Sequence, residues 1–316
     1  MRNEGCEDME NGHIGIALGS GSARGWAHIG IIKGLQEMGI EPDIVSGCSA
    51  GALVGGAYAA GYLDDLDRWA RRLSRKDVVS FFDISLMSGG VIAGERLVNF
   101  FAEHVGDLSI ESLPRRFAAV ATDLTTGSEI WFKSGSLVNA VRASISLPGV
   151  FTPFQMDDKW LVDGGIVNPV PVSLCRAMGA DVVIAVNLNS GLVGRHFLVQ
   201  QAKPVIPQKE AFEGESFGDF ANRIKQSFRN SVDTILSQIW HGDNKKPGLF
   251  DVMAGTINIM QDRITRSRMA GDPPDIVLTP RLQQLGLLEF HRASDAVREG
   301  RDCVMRSRQE VEALFR

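Results

Sequence analysis

The stretch Asp43–Tyr62 has the sequence DIVSGCSAGALVGGAYAAGY, in which a serine stands between two glycines just after a short apolar run. Gly-x-Ser-x-Gly between a strand and a helix is the nucleophile-elbow pattern, in which a strained turn exposes the serine Oγ at the end of a sheet. Side chains at Gly47 and Gly51 would collide with neighbouring backbone in such a turn. The following helix directs its N-terminus at the serine and stabilises developing negative charge there. The pattern therefore predicts that Ser49 is a nucleophile.

The same five residues also occur by chance in flexible loops, because Gly-x-Ser-x-Gly is a common pentapeptide. The strand before it and the small-residue helix after it favour the functional interpretation. Cys48 also carries a potential nucleophile, but it occupies the second position of the elbow and not its apex. We therefore interpret Cys48 as a packing residue.

The composition is that of an ordinary globular protein, with 44% hydrophobic and 22% charged residues in a chain of 316, enough for one large domain or one domain with an appendage. The net charge of -5 argues against a general nucleic-acid binder. Four cysteines are widely scattered without a CxxC pair, which supports neither a zinc site nor a disulfide framework. The cysteine usage fits a reducing compartment.

The N-terminal sequence MRNEGCEDMENG is acidic and polar, without the pattern of a signal peptide. The longest apolar run, Ala50–Leu63, is shorter than the roughly 20 residues that span a bilayer. We therefore expect a cytoplasmic protein that meets lipid, if at all, through peripheral contact with the inner membrane.

Buried strands alternate with helical patterns through the first part of the chain, which predicts an α/β fold with a mostly parallel sheet covered on both faces. The predicted organisation is a polar tail over residues 1–12, a core over 13–189 and a mobile loop over 190–216. A helical segment over 217–316, with a returning strand and a C-terminal helix, is predicted to pack on the core. Residues 63–107 are expected to be mostly helical, and the helix in SLVNAVRASISLP is expected to be stopped by Pro148.

A second glycine-rich turn, LGSGSARGWAHIG, follows the first predicted strand. Unblocked backbone N–H groups at a helix N-terminus bind anions, and beside a serine nucleophile they can form an oxyanion hole. A dinucleotide fingerprint would require glycine where Arg24 stands, and a P-loop would require a Gly-Lys-Ser/Thr ending that is absent. The turn is a weak signal alone and becomes a good one as a partner of Ser49.

The serine needs a base, and the sequence offers an aspartate in a more suggestive position than any histidine. Asp163 ends a predicted strand and precedes Gly164 and Gly165, so it can project from a tight turn at the sheet edge. Asp-Gly alone is usually only a turn. His28 and His291 lie in predicted helices, where a structural role is more common than catalysis. A Ser-His-Asp triad stays open as an alternative that needs one of them near Ser49.

The set GSGSARG, GCSAG and DGG, in that order, resembles the patatin-like phospholipase family, and further segments such as VRASISLPGVFTP and LVDGGIVNPVP resemble its bacterial RssA-type subgroup. The resemblance covers residues 12–300. It implies a three-layer α/β/α patatin-like fold with a central mostly parallel sheet. The activity that it implies is that of a carboxylic ester hydrolase acting on lipid acyl esters through a Ser-Asp dyad.

The resemblance also implies residue roles. Ser49 would attack the ester, and Asp163 would deprotonate it and later activate the deacylating water. The oxyanion would be held by backbone N–H groups of Gly19, Ser20, Gly21, Ser22, Ala23 and Arg24. Many members have glycine where Ser20 and Ser22 stand. The backbone N–H groups of these serines remain available. Arg24 would face an anionic head group or pair with a carboxylate of the scaffold, and Ser144–Phe154 would border the pocket.

An aspartate with an ordinary pKa of about 3.9 is a weak base, so the dyad requires a partly desolvated site that raises it. No cofactor or metal is expected, because the chain has no HExxH, no paired-carboxylate cation loop and no intact nucleotide fingerprint. The expected partner is a lipid acyl-ester substrate and not a nucleic acid, and the sequence does not fix the oligomeric state.

Two further alternatives stay open. The protein could be a lipid-binding regulatory module that keeps the fold with little or no turnover, although an intact Ser49 and Asp163 favour the enzyme. The predicted helix over 217–241 carries an apolar stripe that would suit a membrane interface, but packing on the sheet is the commoner use of such a stripe. The stripe consists of Ile224, Phe228, Val232, Ile235 and Ile239.

Overall fold

A computed structural model describes residues 12–85, 90–93, 95–148, 150–191 and 249–315. The chain forms two compact units, one of Met1–Ser190 with Gln261–Arg316 and one of Gly191–Met260. All elements below belong to the first unit, except that one long helix begins in the second. The expected loop over 190–216 and helix over 217–241 lie outside the described residues, apart from the first two positions of the loop.

Ten strands are described: β1 (Ile14–Leu18), β2 (Ile44–Cys48), β3 (Phe82–Ser85), β4 (Gly90–Ala93), β5 (Arg116–Asp123), β6 (Glu129–Phe132), β7 (Phe154–Met156), β8 (Lys159–Asp163), β9 (Val182–Val186) and β10 (Ile276–Leu278). The α-helices are α1 (Ala27–Glu37), α2 (Ala50–Ala59), α3 (Leu63–Arg72), α4 (Arg75–Phe81), α5 (Glu95–Val105), α6 (Leu137–Ser144), α7 (Val172–Ala177), α8 (Leu249–Gly271), α9 (Ala293–Arg306) and α10 (Arg308–Ala313). Strands and helices alternate as the apolar patterns predict.

The main sheet has eight strands in the order β10-β9-β1-β2-β5-β8-β7, with β6 paired to the remaining side of β5. The pairs from β10 to β5 are parallel, whereas β6, β7 and β8 join by antiparallel pairing. The sheet is therefore mostly parallel, which confirms the prediction. Its parallel part brings the ends of β1 and β2 to the same edge, where the two glycine-rich turns begin.

Both faces of the sheet are buried because apolar residues alternate between them along each strand. Ile16, Leu18 and Val45 belong to a large core shared with α1, α2, α6 and α9. Ala17 and Ile44 belong to a smaller core with residues of α7. The three layers α/β/α are confirmed.

The region 63–107 is mostly helical as predicted, with α3, α4 and α5, although the antiparallel hairpin of β3 and β4 interrupts it. The expectation that Pro148 stops the helix α6 is wrong. Helix α6 ends at Ser144, four residues before Pro148, because the chain leaves the helix to bond with the sheet. The N–H of Asp163 donates to the Ser146 carbonyl oxygen at 3.0 Å. That contact draws the segment after α6 towards β8.

Candidate active site

The position of β8 follows from the pairing register of β5. A strand has two edges, and Val120 pairs with Cys48 of β2 on one edge and with Trp131 of β6 on the other. Strands β2 and β6 therefore lie on opposite sides of β5. β2 ends at Cys48, so the edge of β5 beyond Val120 is left for another strand.

Strand β8 occupies that free edge. Ala121 pairs with Ile130 of β6 and with Asp163 of β8, so β8 lies on the side that β2 has just left. It approaches in the direction opposite to β2. Ser49, the first residue after β2, and Asp163, the last residue of β8, therefore meet at the level of Ala121. Sequence spacing alone does not show this antiparallel approach.

The turn at Ser49 has the strained backbone of a nucleophile elbow. Ser49 has a φ of 57°, in the left-handed region that non-glycine residues rarely adopt. A Cβ on Gly47 would lie 2.5 Å from the Cα of Ala52, and one on Gly51 would lie 2.1 Å from the Leu18 carbonyl oxygen. The glycines on both sides are there because the helix, the strand and β1 approach too closely for a side chain.

The hydroxyl of Ser144, at the end of α6, supports the elbow. It accepts a hydrogen bond from the Ser49 N–H at 2.9 Å and donates one to the Val120 carbonyl oxygen at 2.6 Å. The side chain thus ties the strained residue to β5. Nothing in the sequence distinguishes this serine from an ordinary helical one, although it begins the segment Ser144–Phe154 that the resemblance places beside the pocket.

The Ser49 Oγ donates a hydrogen bond to Asp163 Oδ2 at 2.5 Å. The second carboxylate oxygen, Oδ1, accepts from the Gly165 N–H at 2.7 Å. Thr122 Oγ1 donates to the Asp163 carbonyl oxygen at 2.9 Å and so fixes the backbone of the turn. The structure thus brings together the two residues that the sequence separates by more than a hundred positions, with a direct contact between hydroxyl and carboxylate.

Burial changes the chemistry of this carboxyl group. Asp163 is fully buried, and burial raises its pKa to about 6, while hydrogen bonds from Ser49 and Gly165 act in the opposite direction. A carboxylate with a pKa near neutrality is a far better base than an ordinary aspartate and is still mostly ionised at pH 7. A Ser-Asp dyad requires an aspartate with such a raised pKa.

The backbone N–H groups of the loop Gly19–Arg24 fall into two sets. Four donate to carbonyl oxygens of the protein: Gly19 to Val186, Ser20 to Pro169, Ala23 to Leu287 and Arg24 to Gly21. Among the described residues, the N–H groups of Gly21 and Ser22 have no backbone or side-chain partner. Ser22 has a φ of 50°, and its hydroxyl donates to the Leu287 carbonyl oxygen at 2.7 Å. The four bonded groups and this hydroxyl hold the loop and leave two N–H groups for a ligand.

The Arg24 side chain is buried, and its Nε donates to the Gly21 carbonyl oxygen at 3.3 Å. Burial lowers the pKa of the guanidinium to about 10. With 2% of its surface exposed, this side chain does not present a charge to a head group in solvent. Its contact with Gly21 supports the loop from within.

The two histidines of the triad alternative have other contacts. His28 Nε2 lies 2.8 Å from the Gly19 carbonyl oxygen, which only accepts, so Nε2 carries the proton and donates. Burial lowers the pKa of His28 to about 4, so the ring is neutral. His291 Nε2 accepts from Arg75 Nε at 3.3 Å. In the described part of the chain no histidine hydrogen-bonds Ser49 or Asp163, and these contacts give no support to a triad.

Cys48 is the last residue of β2 and is fully buried. Burial, followed by the charge of Asp163, raises the pKa of its thiol well above the usual value. A protonated, inaccessible thiol is a poor nucleophile. The geometry agrees with the interpretation of Cys48 as a packing residue.

A small cavity, partly open to solvent, lies beside the Ser49 side chain. Ser22 and Ser49 contribute polar side chains to its lining. The other described lining residues are Gly25, Ala50 and the larger apolar side chains Trp26, Leu53, Val54, Leu97, Ile145, Leu147, Phe151 and Phe290. Ile145, Leu147 and Phe151 belong to the segment expected to border the pocket. Leu97 and Phe290 come from parts of the chain that the sequence did not associate with the site.

Within the described residues, no group of three or more histidine, cysteine, aspartate or glutamate side chains could hold a metal ion. Those residues also contain no helix long and apolar enough to cross a membrane.

The fold and the site define a patatin-like α/β/α protein, and comparison with known proteins agrees. Residues 16–176, about half of the chain, match the family model described as patatin-like phospholipase. The chain belongs to the patatin-like phospholipase family. The match contains both glycine-rich turns and the Asp-Gly-Gly turn. The comparisons do not test the RssA-type subgroup, which stays a prediction.

Several relatives carry the name NTE family protein. An uncharacterized NTE family protein of Mycobacterium tuberculosis is 33% identical over 320 aligned residues, covering 91% of this chain and 89% of the relative. The neuropathy target esterase sws of Drosophila melanogaster is 35% identical over 183 residues, which cover 56% of this chain and 13% of that protein. The lysophospholipase nte1 of Emericella nidulans is 34% identical over 181 residues, covering 56% of this chain and 12% of that protein.

A solved structure shows the same fold at low sequence identity. The crystal structure of VipD from Legionella pneumophila superposes with a TM-score of 0.52 at 16% identity, covering 96% of this chain and 67% of that one. This likeness concerns the architecture only.

Proposed function

We propose that this protein is a serine acyl-ester hydrolase that cleaves a phospholipid or lysophospholipid through a Ser49-Asp163 dyad and an acyl-enzyme. The observation that carries the proposal is the 2.5 Å hydrogen bond from Ser49 Oγ to the buried Asp163 carboxylate, beside a cavity that Ser49 lines together with mainly apolar residues. Family membership and relatives named as an esterase and a lysophospholipase support the same reaction class.

In the acylation step, Asp163 Oδ2 accepts the proton of Ser49 Oγ while the oxygen attacks the ester carbonyl carbon. The carbonyl oxygen becomes negatively charged in the tetrahedral intermediate. When the intermediate collapses, the ester bond breaks and Asp163 returns the proton to the leaving alkoxide. The alcohol leaves as a lysophospholipid when the substrate is a phospholipid, or as a glycerophospho head group when it is a lysophospholipid, and the acyl group stays on Ser49.

In the deacylation step, a water molecule takes the place of the alcohol. Asp163 accepts a proton from the water, and the hydroxide attacks the acyl carbonyl carbon. Collapse expels Ser49 Oγ, which regains its proton from Asp163, and a fatty acid leaves. The same carboxylate serves as base and acid in both halves, as microscopic reversibility requires.

The developing oxyanion is stabilised by the N–H groups of Gly21 and Ser22. They are the members of the Gly19–Arg24 loop without a partner in the described structure, whereas the other four already donate elsewhere. The N–H of Ala50, the residue after the nucleophile, supplies a third donor of the kind found in nucleophile elbows. Losing one such donor typically costs about 10²–10³ in kcat.

The cavity favours an acyl chain as the group it holds, because its lining beyond the two serines is apolar or glycine and alanine. Among the residues that the structure describes, no charged side chain lines it. The polar head group would then stay towards solvent, and specificity would come from the acyl side. Cytoplasmic location and peripheral membrane contact stay predictions that this geometry does not address.

A lipid panel tests the proposal. The purified protein is incubated with phosphatidylcholine, lysophosphatidylcholine and a soluble short-chain ester, and released fatty acid is measured beside labelling by a fluorophosphonate. We expect turnover on at least one lipid and one label per chain. Specific lipid binding without turnover on any ester would contradict the enzyme and favour the regulatory module.

Chelation tests the expectation that no metal takes part, since the proposed chemistry needs only side chains and backbone N–H groups. We expect that EDTA leaves hydrolysis of the soluble ester unchanged within about twofold. A soluble ester is used because chelation also changes the packing of charged lipid surfaces. Activity lost on chelation and restored by calcium would contradict a metal-free mechanism.

A further inference from the structure

Three polar side chains from distant parts of the chain meet in the protein interior beside the proposed oxyanion loop. Asn189 Nδ2 donates to Ser20 Oγ at 3.2 Å and to Gln261 Oε1 at 2.8 Å. Ser20 belongs to the loop, Asn189 follows β9, and Gln261 lies on α8. Each of the three is at most 5% exposed. The result is a buried hydrogen-bonded cluster, Ser20-Asn189-Gln261.

The Gln261 amide also contacts the turn that carries Asp163. A Cβ on Gly165 would lie 2.4 Å from Gln261 Nε2 and 3.2 Å from the Ser20 Cβ. A side chain at residue 165 would therefore displace the Gln261 amide from this position. The Gly165 N–H is the group that donates to Asp163 Oδ1. The Gln261 amide thus packs against Gly165, whose N–H fixes the Asp163 carboxylate. Through Asn189, the same amide is connected to the loop that carries the proposed oxyanion donors.

Stability alone is a poor explanation for this cluster. Buried polar groups cost free energy unless every one is paired, and apolar side chains of similar size are often as stabilising. The Asn189 Oδ1 has no hydrogen-bond partner among the described residues, so the cluster is not fully paired. What such a cluster does provide is directional contact, which fixes the relative position of the segments that it joins.

We propose that Gln261 and Asn189 are positioning residues that hold the Gly21 and Ser22 N–H groups in register with Ser49 and Asp163. This inference rests on the proposed function and deepens it. The Ser20 N–H bond to the Pro169 carbonyl oxygen fixes the backbone of this residue. The cluster fixes its side chain as well, so the residue that precedes Gly21 is restrained in both its backbone and its side chain.

The test compares Gln261→Met, which keeps side-chain length but removes the amide, with Thr265→Val on the same helix. Thr265 is also buried, and its Oγ1 has no partner among the described residues, so this change removes a buried polar group without touching the cluster. On the soluble ester, we expect Gln261→Met to lower kcat about tenfold or more with KM within about twofold, since a misplaced oxyanion donor acts in the transition state. Thr265→Val should keep kcat within about twofold.

Hydrogen exchange gives a second readout that does not depend on turnover. We expect faster amide exchange in the peptide covering residues 18–25 for Gln261→Met than for Thr265→Val. If Gln261→Met does not fold, Ser20→Ala removes the loop's own hydroxyl from the cluster and should lower kcat in the same direction. A folded Gln261→Met protein with unchanged kcat, or with unchanged exchange in that peptide, would overturn the inference.

Wild type and Ser49→Ala are measured in the same assay, so that the two proposals fail in different ways. Absence of turnover in wild type contradicts the proposed function. An active wild type with an equally active Gln261→Met contradicts only the positioning role.

Discussion

Ser49→Ala is expected to abolish both ester hydrolysis and fluorophosphonate labelling, with a loss in kcat of at least about 10⁴-fold. The substitution removes the atom that forms the acyl-enzyme. It also removes the hydrogen bond to Asp163 Oδ2, whereas the backbone bond from residue 49 to the Ser144 hydroxyl can persist. The measurement pairs fatty acid release with mass spectrometry of the labelled protein, and circular dichroism checks the fold.

The matched control is Cys48→Ala, one position earlier. The buried, protonated thiol takes no part in the proposed chemistry, so this variant should keep measurable activity and full labelling. Labelling that survives in Ser49→Ala would place the nucleophile elsewhere, with Cys48 the first candidate to examine.

Asp163→Asn is expected to lower kcat/KM by at least about a thousandfold, within the range of roughly 10²–10⁴ for loss of a general base. In a triad the acid only orients a histidine, whereas here the carboxylate itself accepts the proton. Asparagine keeps the size of the side chain and its Oδ1 can still accept from Gly165, so the turn is preserved. The double variant Ser49→Ala with Asp163→Asn should be little worse than either single change, because the two residues act as one unit.

The pH dependence of kcat/KM gives a further test of Asp163 as the base. The base must be ionised, and the pKa of Asp163 is raised to about 6, so kcat/KM of wild type should fall as the pH drops below about 6. His28→Gln and His291→Gln should keep most turnover, since glutamine can donate to the Gly19 carbonyl oxygen in place of His28 and can accept from Arg75 in place of His291. A folded histidine variant that is as inactive as Ser49→Ala would contradict the dyad.

As the pH rises, the free energy of unfolding of the wild type should fall while its activity increases. A carboxyl group whose pKa is higher in the folded protein favours folding when protonated, and that contribution is lost as the pH rises through about 6. At pH 8 the buried charge therefore costs stability, and Asp163→Asn should unfold at a higher temperature than wild type. A shift from 3.8 to about 6 corresponds to about 3 kcal/mol as an upper bound. The difference should disappear below about pH 4.

Much of the fold could be predicted because the apolar patterns are local. The five residues IGIAL form β1 as expected, and the elbow glycines have the close contacts that their positions indicate. The hairpin of β3 and β4 was missed because its residues lie between helical patterns and carry no distinct alternation. The early end of α6 was missed because a tertiary contact from Asp163, not Pro148, draws the chain away.

The candidate site could be predicted less completely. Ser49 and Asp163 were paired through their motif context, but their contact depends on β8 entering the free edge of β5, which no local pattern encodes. The loop Gly19–Arg24 was expected as a whole, whereas hydrogen bonding leaves only Gly21 and Ser22 without partners in the described structure. The roles of Ser144, Asn189 and Gln261 depend on side-chain contacts across long stretches of chain.

The approach of β8 along the edge that β2 leaves has a consequence for motion. Ser49 directly follows β2 and Asp163 is the last residue of β8, and both strands pair with β5, so the separation of the two residues fluctuates with the sheet and not with a loop. Paired strands are among the stiffest parts of a protein, whereas loops drift on nanosecond and longer timescales. A histidine carried on a loop would have to be brought into place at each turnover. Because one rigid sheet holds Ser49 Oγ and Asp163 Oδ2, much of the entropy cost of bringing these two atoms together is already met when the protein folds, before any substrate binds.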